Sequence, residues 1–208
     1  MRAYKRSELM RDYWHYYRNL ENKLIATSSY IEIHRDNFTA FSNEYALLLQ
    51  STGAELDNFF KVFCGYNSTD RKNIYEYAGY ILSSYSDVVN QIVTISNRGI
   101  DLQPFAGWNT SAPAQSLNWW ISFDEVKHNR AGNIKKANQE NVLNMLAALY
   151  LLEMKYLGTI AAQDASGQLT EPDVPDDQSK LFDLKGWNFR YVPLGSAFAV
   201  VDGEVYEL

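Results

Sequence analysis

Cysteine and histidine are scarce in this chain. Of 208 residues one is cysteine, Cys64, and three are histidine: His15, His34 and His128. A single thiol excludes an intrachain disulfide and a cysteine-based zinc site, and so low a count suits a reducing compartment. Cations are also in deficit. The 19 Lys and Arg face 25 Asp and Glu, for a net charge of -6 and a pI near 5.1. That balance excludes a broad DNA-binding surface, because phosphate binding needs a positive footprint, but leaves room for a small local basic site. There is no phosphate-binding glycine loop, no Gly-x-Ser-x-Gly elbow and no His-Glu-x-x-His pair. No cofactor or metal is therefore expected. Long uninterrupted apolar runs are missing too. The most apolar stretch, Val142 to Leu157, is broken by Asn144, Glu153 and Lys155, and reads as too short and polar to span a bilayer. The basic start, Met1 to Arg6, leads into no apolar run, so no signal peptide is expected. These absences together point to a soluble cytoplasmic protein with no membrane partner.

Against these deficits, 46% of the residues are hydrophobic and 14% aromatic, with 15 Tyr, 10 Phe and 5 Trp. The chain is globular, long enough for one domain with decorations, and ring-rich in its core or at a binding surface. Helical periodicity dominates. From an N-cap at Ser7, Leu9, Tyr13, Tyr16, Tyr17, Leu20 and Leu24 fall on one stripe. Residues 30–41 break that period and suggest an extended connection. Ser42 then caps a second helix, with Tyr45, Leu48, Leu49, Thr52, Leu56, Phe59, Phe60 and Phe63 inward and Gly65 as its stop. A shorter helix is expected from Ser68 or Thr69 to Leu82. Apolar and β-branched residues between Val88 and Leu102, around Asn97-Arg98-Gly99, predict a small β-hairpin. A helix from about Ser116, interrupted by Gly132, carries Trp119, Trp120, Phe123 and Val126. The last helix, Ala137 to Ile160, has so little polar face that it belongs at the bundle's centre.

The fold class expected is mainly α, a four- to five-helix bundle with a small β element and a C-terminal β-hairpin. Residues 1–162 form the bundle, with the β insertion near 89–103. Residues 163–179 read as an acidic flexible linker, and 180–208 as a hairpin extension turning at Asp202-Gly203.

The densest concentration of unusual chemistry runs from Trp119 to Arg130. On a helix Asp124 and His128 are four apart and share a face, one turn beyond Trp120. Lys127, His128 and Arg130 combine one proton carrier with two fixed cations, a set suited to a phosphodiester, and are the candidate catalytic residues. Trp119 and Trp120 form a candidate aromatic wall. A supporting polar network is expected from Glu55, Asp57, Lys61 and Asp124. Asp57 and Lys61 are an i,i+4 pair, and Glu55, beside an apolar stripe, needs a cation if drawn inward: Lys127, His128 or Arg130. The competing reading makes the cluster a basic helix end that complements the helix dipole, with the Trp pair as core.

The segment from Trp119 to about Leu157 resembles the signature of a group of bacterial helical proteins. Their pattern is Trp-Trp, an Asn or Asp, Lys-His-x-Arg, then an Ala, Asn and Leu-rich helix. Here it is Trp119-Trp120, Asp124, Lys127-His128 and Arg130, then Asn138, Asn141-Val142-Leu143 and Ala147-Ala148-Leu149. Asn37-Phe38, Ser42 and Glu55-x-Asp57 are also similar to that group, which is loosely HEPN-like. The resemblance implies a helical bundle, a homodimer, and an RNA-directed module in a phage-defence or toxin–antitoxin setting, a metal-independent ribonuclease among the options. The HEPN nuclease motif has an Arg, then four to six intervening residues, then a His on one helix. Arg11 and His15 are separated by three residues, and the Lys-His-x-Arg order is reversed. Two other function classes stay open: a non-enzymatic dimeric interaction protein, and a small-molecule-binding bundle built around the two tryptophans.

Overall fold

A computed structural model describes residues 4–162 and 173–187, and the backbone of the strand residues 198–201 and 204–207. The fold is mainly helical with a small antiparallel sheet, as the periodicity implied.

The N-terminal rod runs as α1 (Arg6–Leu9), a π-helical turn (Met10–Trp14) and α2 (His15–Thr27). A π turn holds one more residue per turn than an α turn. The inward stripe is shifted accordingly: Met10 and Trp14, outside the expected stripe, are buried, while Tyr16 is exposed. The helix α3 (Asn43–Phe63) follows, its first turn capped by the Ser42 hydroxyl, which accepts from Tyr45 N–H at 3.0 Å. At its far end the Tyr66 and Gly65 amides donate to the carbonyls of Lys61 and Val62 (2.8 and 3.0 Å), with Gly65 at φ 71°. This doubly bonded stop needs a left-handed residue, which glycine supplies without steric cost. Between these helices, residues 30–41 form turns and a 3₁₀ turn (Arg35–Asn37), where extended chain was expected.

The helix α4 (Ile74–Ser84) starts later than expected, because Asn73 and Glu76 close a reciprocal cap there. Strands β1 (Val93–Ile95) and β2 (Ile100–Leu102) form the expected hairpin, turning through Asn97 and Gly99, both at φ 62°. Then come α5 (Asn118–His128), a short α6 (Arg130–Asn133) and α7 (Gln139–Ala162). Contacts fix the helix directions. The Gln139 side-chain amide donates to the Tyr45 hydroxyl at 3.1 Å near the start of α3, while Tyr156 meets Phe59 and Phe63 near its end. Thus α3 and α7 run parallel. Running opposite to both, α5 sets Phe123 against Gly53, Trp120 against Phe60, and Ser122 on the Asn141 side-chain amide at 2.9 Å. As the central helix, α7 buries Val142, Leu143, Leu146, Leu149 and Leu152. It also meets the length and composition of a membrane-crossing helix, contrary to the expectation from its polar interruptions, with 67% of that apolar window buried inside the bundle.

The C-terminal part departs from the expected linker and hairpin. Residues 163–172 lie outside the described residues. Residues 173–181, expected to be largely mobile linker, are packed along the N-terminal rod. Arg6 donates to the Val174 carbonyl and the Asp176 carboxylate. The Trp14 indole donates to the Asp177 carbonyl at 2.7 Å. The fully buried Glu21 pairs with Arg18 and accepts from the Tyr17 hydroxyl and from the Lys180 and Leu181 amides. A buried carboxylate is tolerable only when its lone pairs are occupied in this way. This anchor delivers β3 (Phe182–Leu184) to the free edge of β1, giving the antiparallel order β2-β1-β3 with Phe182 opposite Ile95 and Leu184 opposite Val93. Strand β3 was not anticipated. The expected hairpin is present as β4 (Phe198–Val201) paired with β5 (Glu204–Glu207).

Candidate functional site

The candidate residues gather where α5 ends. The backbone breaks at Asn129 (φ -148°, ψ 75°), whose side-chain carbonyl accepts from Gly132 N–H at 3.1 Å and starts α6. That break turns the chain outward and leaves Lys127, His128, Asn129, Arg130 and Lys135 all exposed. The His128 side chain is 70% exposed, with Nε2 3.3 Å from the Asp124 carboxylate. The i,i+4 spacing thus brings the expected pair together. Arg130 Nη1 donates to the Asn43 side-chain carbonyl at 3.1 Å, tying the turn to the first residue of α3. Lys127 Nζ lies 5.5 Å from the centre of the Phe123 ring, within cation–π range. Lys136 pairs with Glu125 behind the turn.

A cavity of about 360 Å³ opens beside this turn, between α3 and α5. Its lining includes Gln50, Asp57, Trp120, Phe123, Asp124 and Lys127. The helices can approach because position 53 is glycine: a Cβ there would stand 2.3 Å from Phe123 Cδ2. Burial pushes the Asp57 carboxyl up, against the opposing pull of Lys61, the Tyr77 hydroxyl and Lys127. Gln50 donates from its amide nitrogen to the Val126 carbonyl at 3.4 Å.

The expected constellation therefore divides. Asp57, Asp124, Lys127 and Trp120 share the groove, with His128 and Arg130 on the open turn next to it. Trp119 is not part of the wall. It is buried, with its indole N–H donating to the Pro104 carbonyl at 2.6 Å, and belongs to the core. Lys61 acts on Asp57 by charge but lines a different cavity, of about 370 Å³, with Tyr4, Tyr13 and Asn58. Glu55 finds none of its expected cations. It lies near Glu153 of α7, and burial raises its pKa to about 7. Glu153 is fully enclosed, neither carboxyl oxygen has a hydrogen-bond partner, and burial followed by the charge of Glu55 pushes it well above the usual carboxylate range. Both carboxyls are isolated from the turn, so the supporting network reduces to Asp57 and Asp124. Glu153 was noted in the sequence only as a polar break in an apolar run, and nothing in the spacing there signals a partner on α3.

Cys64 is buried, and burial pushes its thiol up to about 12. It is no nucleophile in that state, since the thiolate is the reactive form. Among the described residues, no group of three or more His, Cys, Asp and Glu side chains is placed to hold a metal ion. Comparison with protein-family models, curated proteins and solved structures finds no match for this chain.

Proposed function

We propose that this protein is an RNA-directed module that binds a single strand at the end of α5, with Lys127, His128, Arg130 and Lys135 as the phosphate-contacting residues. One observation carries the reading: in a protein of net charge -6, these side chains stand exposed along residues 127–135, and Lys127 lines an open groove that holds an indole. Exposed cations next to an aromatic face are what a single-stranded nucleic acid needs, phosphates on one and a stacked base on the other. The competing architectural role, with His128 and Arg130 buried against Glu55 or Asp57, fits poorly with the exposure of both.

Binding is the better-supported half of the proposal. A hydrolytic step needs a base and an acid near the scissile phosphate. His128 supplies one proton carrier, with the Asp124 carboxylate 3.3 Å from its Nε2. A phage-defence or toxin–antitoxin setting, and a homodimer, remain part of this proposal on the strength of the resemblance alone. The test is fluorescence anisotropy with a labelled single-stranded RNA at 50 and 200 mM salt, for the wild type and a Lys127→Ala/Arg130→Ala variant of unchanged melting temperature. Affinity should fall with salt, and the double variant should bind more weakly with a shallower salt slope. Equal binding by both proteins would overturn the assignment of the turn. His128→Ala in the same assay, followed by gel analysis of the RNA, separates binding from cleavage.

A further inference from the structure

We propose that the groove between α3 and α5 selects a guanine base from the bound strand, with the Asp57 carboxylate accepting from the base's N1–H and N2–H groups and Trp120 forming the stacking wall. This inference rests on the RNA reading above and specifies which base enters the site.

The lining decides what fits. An anionic phosphate is a poor occupant, because two carboxylates, Asp57 and Asp124, meet it against one ammonium, Lys127. A cationic group gains less at Asp57, whose charge two lysines already oppose. Asp57 feels Lys61, the Tyr77 hydroxyl and Lys127, and one oxygen of Asp124 lies 3.3 Å from His128 Nε2. What remains is acceptor capacity beside aromatic rings. A neutral, planar, donor-bearing group satisfies it. Among the bases, guanine alone presents two adjacent N–H donors on its Watson–Crick edge, the spacing that the two oxygens of one carboxylate accept together. Asp57 is half-buried in the groove, whereas Asp124 is exposed with one oxygen near His128, which favours Asp57 as the reader.

The rest of the site agrees in shape and placement. A cavity of about 360 Å³ accepts one base with room for part of its sugar. Trp120 is half-buried, its ring held edge-on by Phe60, Trp119 and Phe123. A ring fixed in this way loses little freedom when a base stacks on it. Lys127 stands at the border between groove and turn, positioned for the phosphate of the inserted nucleotide, while His128 and Arg130 meet its neighbours.

The deciding experiment compares three labelled heptanucleotide RNAs with a U-rich frame and one central guanine, inosine or adenine. Anisotropy is measured with the wild type, Asp57→Asn and Trp120→Leu. Inosine keeps N1–H and lacks the N2 amine. The wild type should favour guanine over adenine by about tenfold or more, with inosine between them. Asp57→Asn should lose most of that preference while keeping the adenine affinity, because an amide can no longer accept both protons. Trp120→Leu should weaken all three RNAs alike. Equal wild-type affinity for the three RNAs would overturn the guanine assignment and leave RNA binding intact. No binding of any RNA would overturn the RNA reading and this inference with it. The comparison within the wild type decides the matter even if a variant fails to fold.

Discussion

The close approach of α3 and α5 makes Gly53→Ala the sharpest structural test. Alone on a helix, this change should stabilise by about 0.5–1 kcal/mol, because alanine has the lower conformational entropy to lose. Here the new methyl would sit 2.3–2.6 Å from three carbons of the Phe123 ring, far inside contact distance. Those atoms belong to a ring 6% exposed, packed on Trp120 with centroids 5.5 Å apart and overlain by Lys127. The only relief is for the helices to part or for the ring to leave its rotamer toward the groove it lines. Overpacking of this kind costs about 1–3 kcal/mol. Set against the helix gain, the net loss is about 0–2.5 kcal/mol, centred on about 1, or a fall in Tm of about 2–4 °C at this chain length. Far-UV circular dichroism melts measure it. Phe123→Leu made first should reduce the penalty, so the double variant should be more stable than the two single effects summed. A Gly53→Ala protein that melts above the wild type would refute the α3–α5 contact, and with it the groove's geometry.

Two further perturbations test the polar groups of the core. Glu21→Ala should cost about 1–3 kcal/mol, since it removes the acceptor of the Lys180 and Leu181 amides and leaves Arg18 with Asp177 alone. Amide exchange in Phe182–Leu184 should accelerate before exchange elsewhere, and unchanged protection of β3 would contradict the anchoring role. Glu55 and Glu153 predict a pH dependence of defined sign. Both carboxyls are raised in the fold, Glu55 from 4.5 to about 7 and Glu153 further. The folded state therefore retains protons that the unfolded chain has lost, and stability declines as pH rises from about 4.5, through 7 for Glu55 and beyond for Glu153. In urea titrations at pH 5.5 and 8.0, Glu153→Met should lose less stability than the wild type and should be the more stable protein at pH 8.0, by about 1–4 kcal/mol. Parallel pH profiles would show that Glu153 carries no such cost.

Local rules written into single residues were the legible part of the fold. Ser42 before a helical stripe, Gly65 after it, and Asn97 with Gly99 between two β-forming runs each encode a backbone geometry that neighbours need not confirm. What escaped depends on distant partners. The π turn at Met10–Trp14 changes which residues face inward without changing composition, so Trp14 stayed hidden while Tyr16 was misplaced. The strap from Asp173 to Leu181 is acidic and prolyl, the composition of a solvated linker. Its attachment comes from Glu21, Arg18 and Trp14, which lie more than 150 residues earlier. At the site, Asp124–His128 was legible because four residues on a helix fix the pairing. The meeting of Asp57 with Trp120 and Lys127 followed less directly, through the small residue at position 53. Glu55 defeated the reading because its neighbour, Glu153, is another acid, where burial without compensation is the opposite of what charge pairing suggests.

If RNA lies on the α5 turn and in the groove beside it, cross-linking locates it there without presuming affinity. A single-stranded RNA carrying 4-thiouridine and one guanine, irradiated with the wild-type protein and digested for peptide mass spectrometry, should place its adducts between Trp119 and Lys136, with Trp120 and Lys127 foremost. Adducts concentrated instead on the cavity between α2 and the start of α3, around Lys23, Tyr30 and Tyr45, or no adducts at RNA concentrations that saturate binding, would contradict that placement.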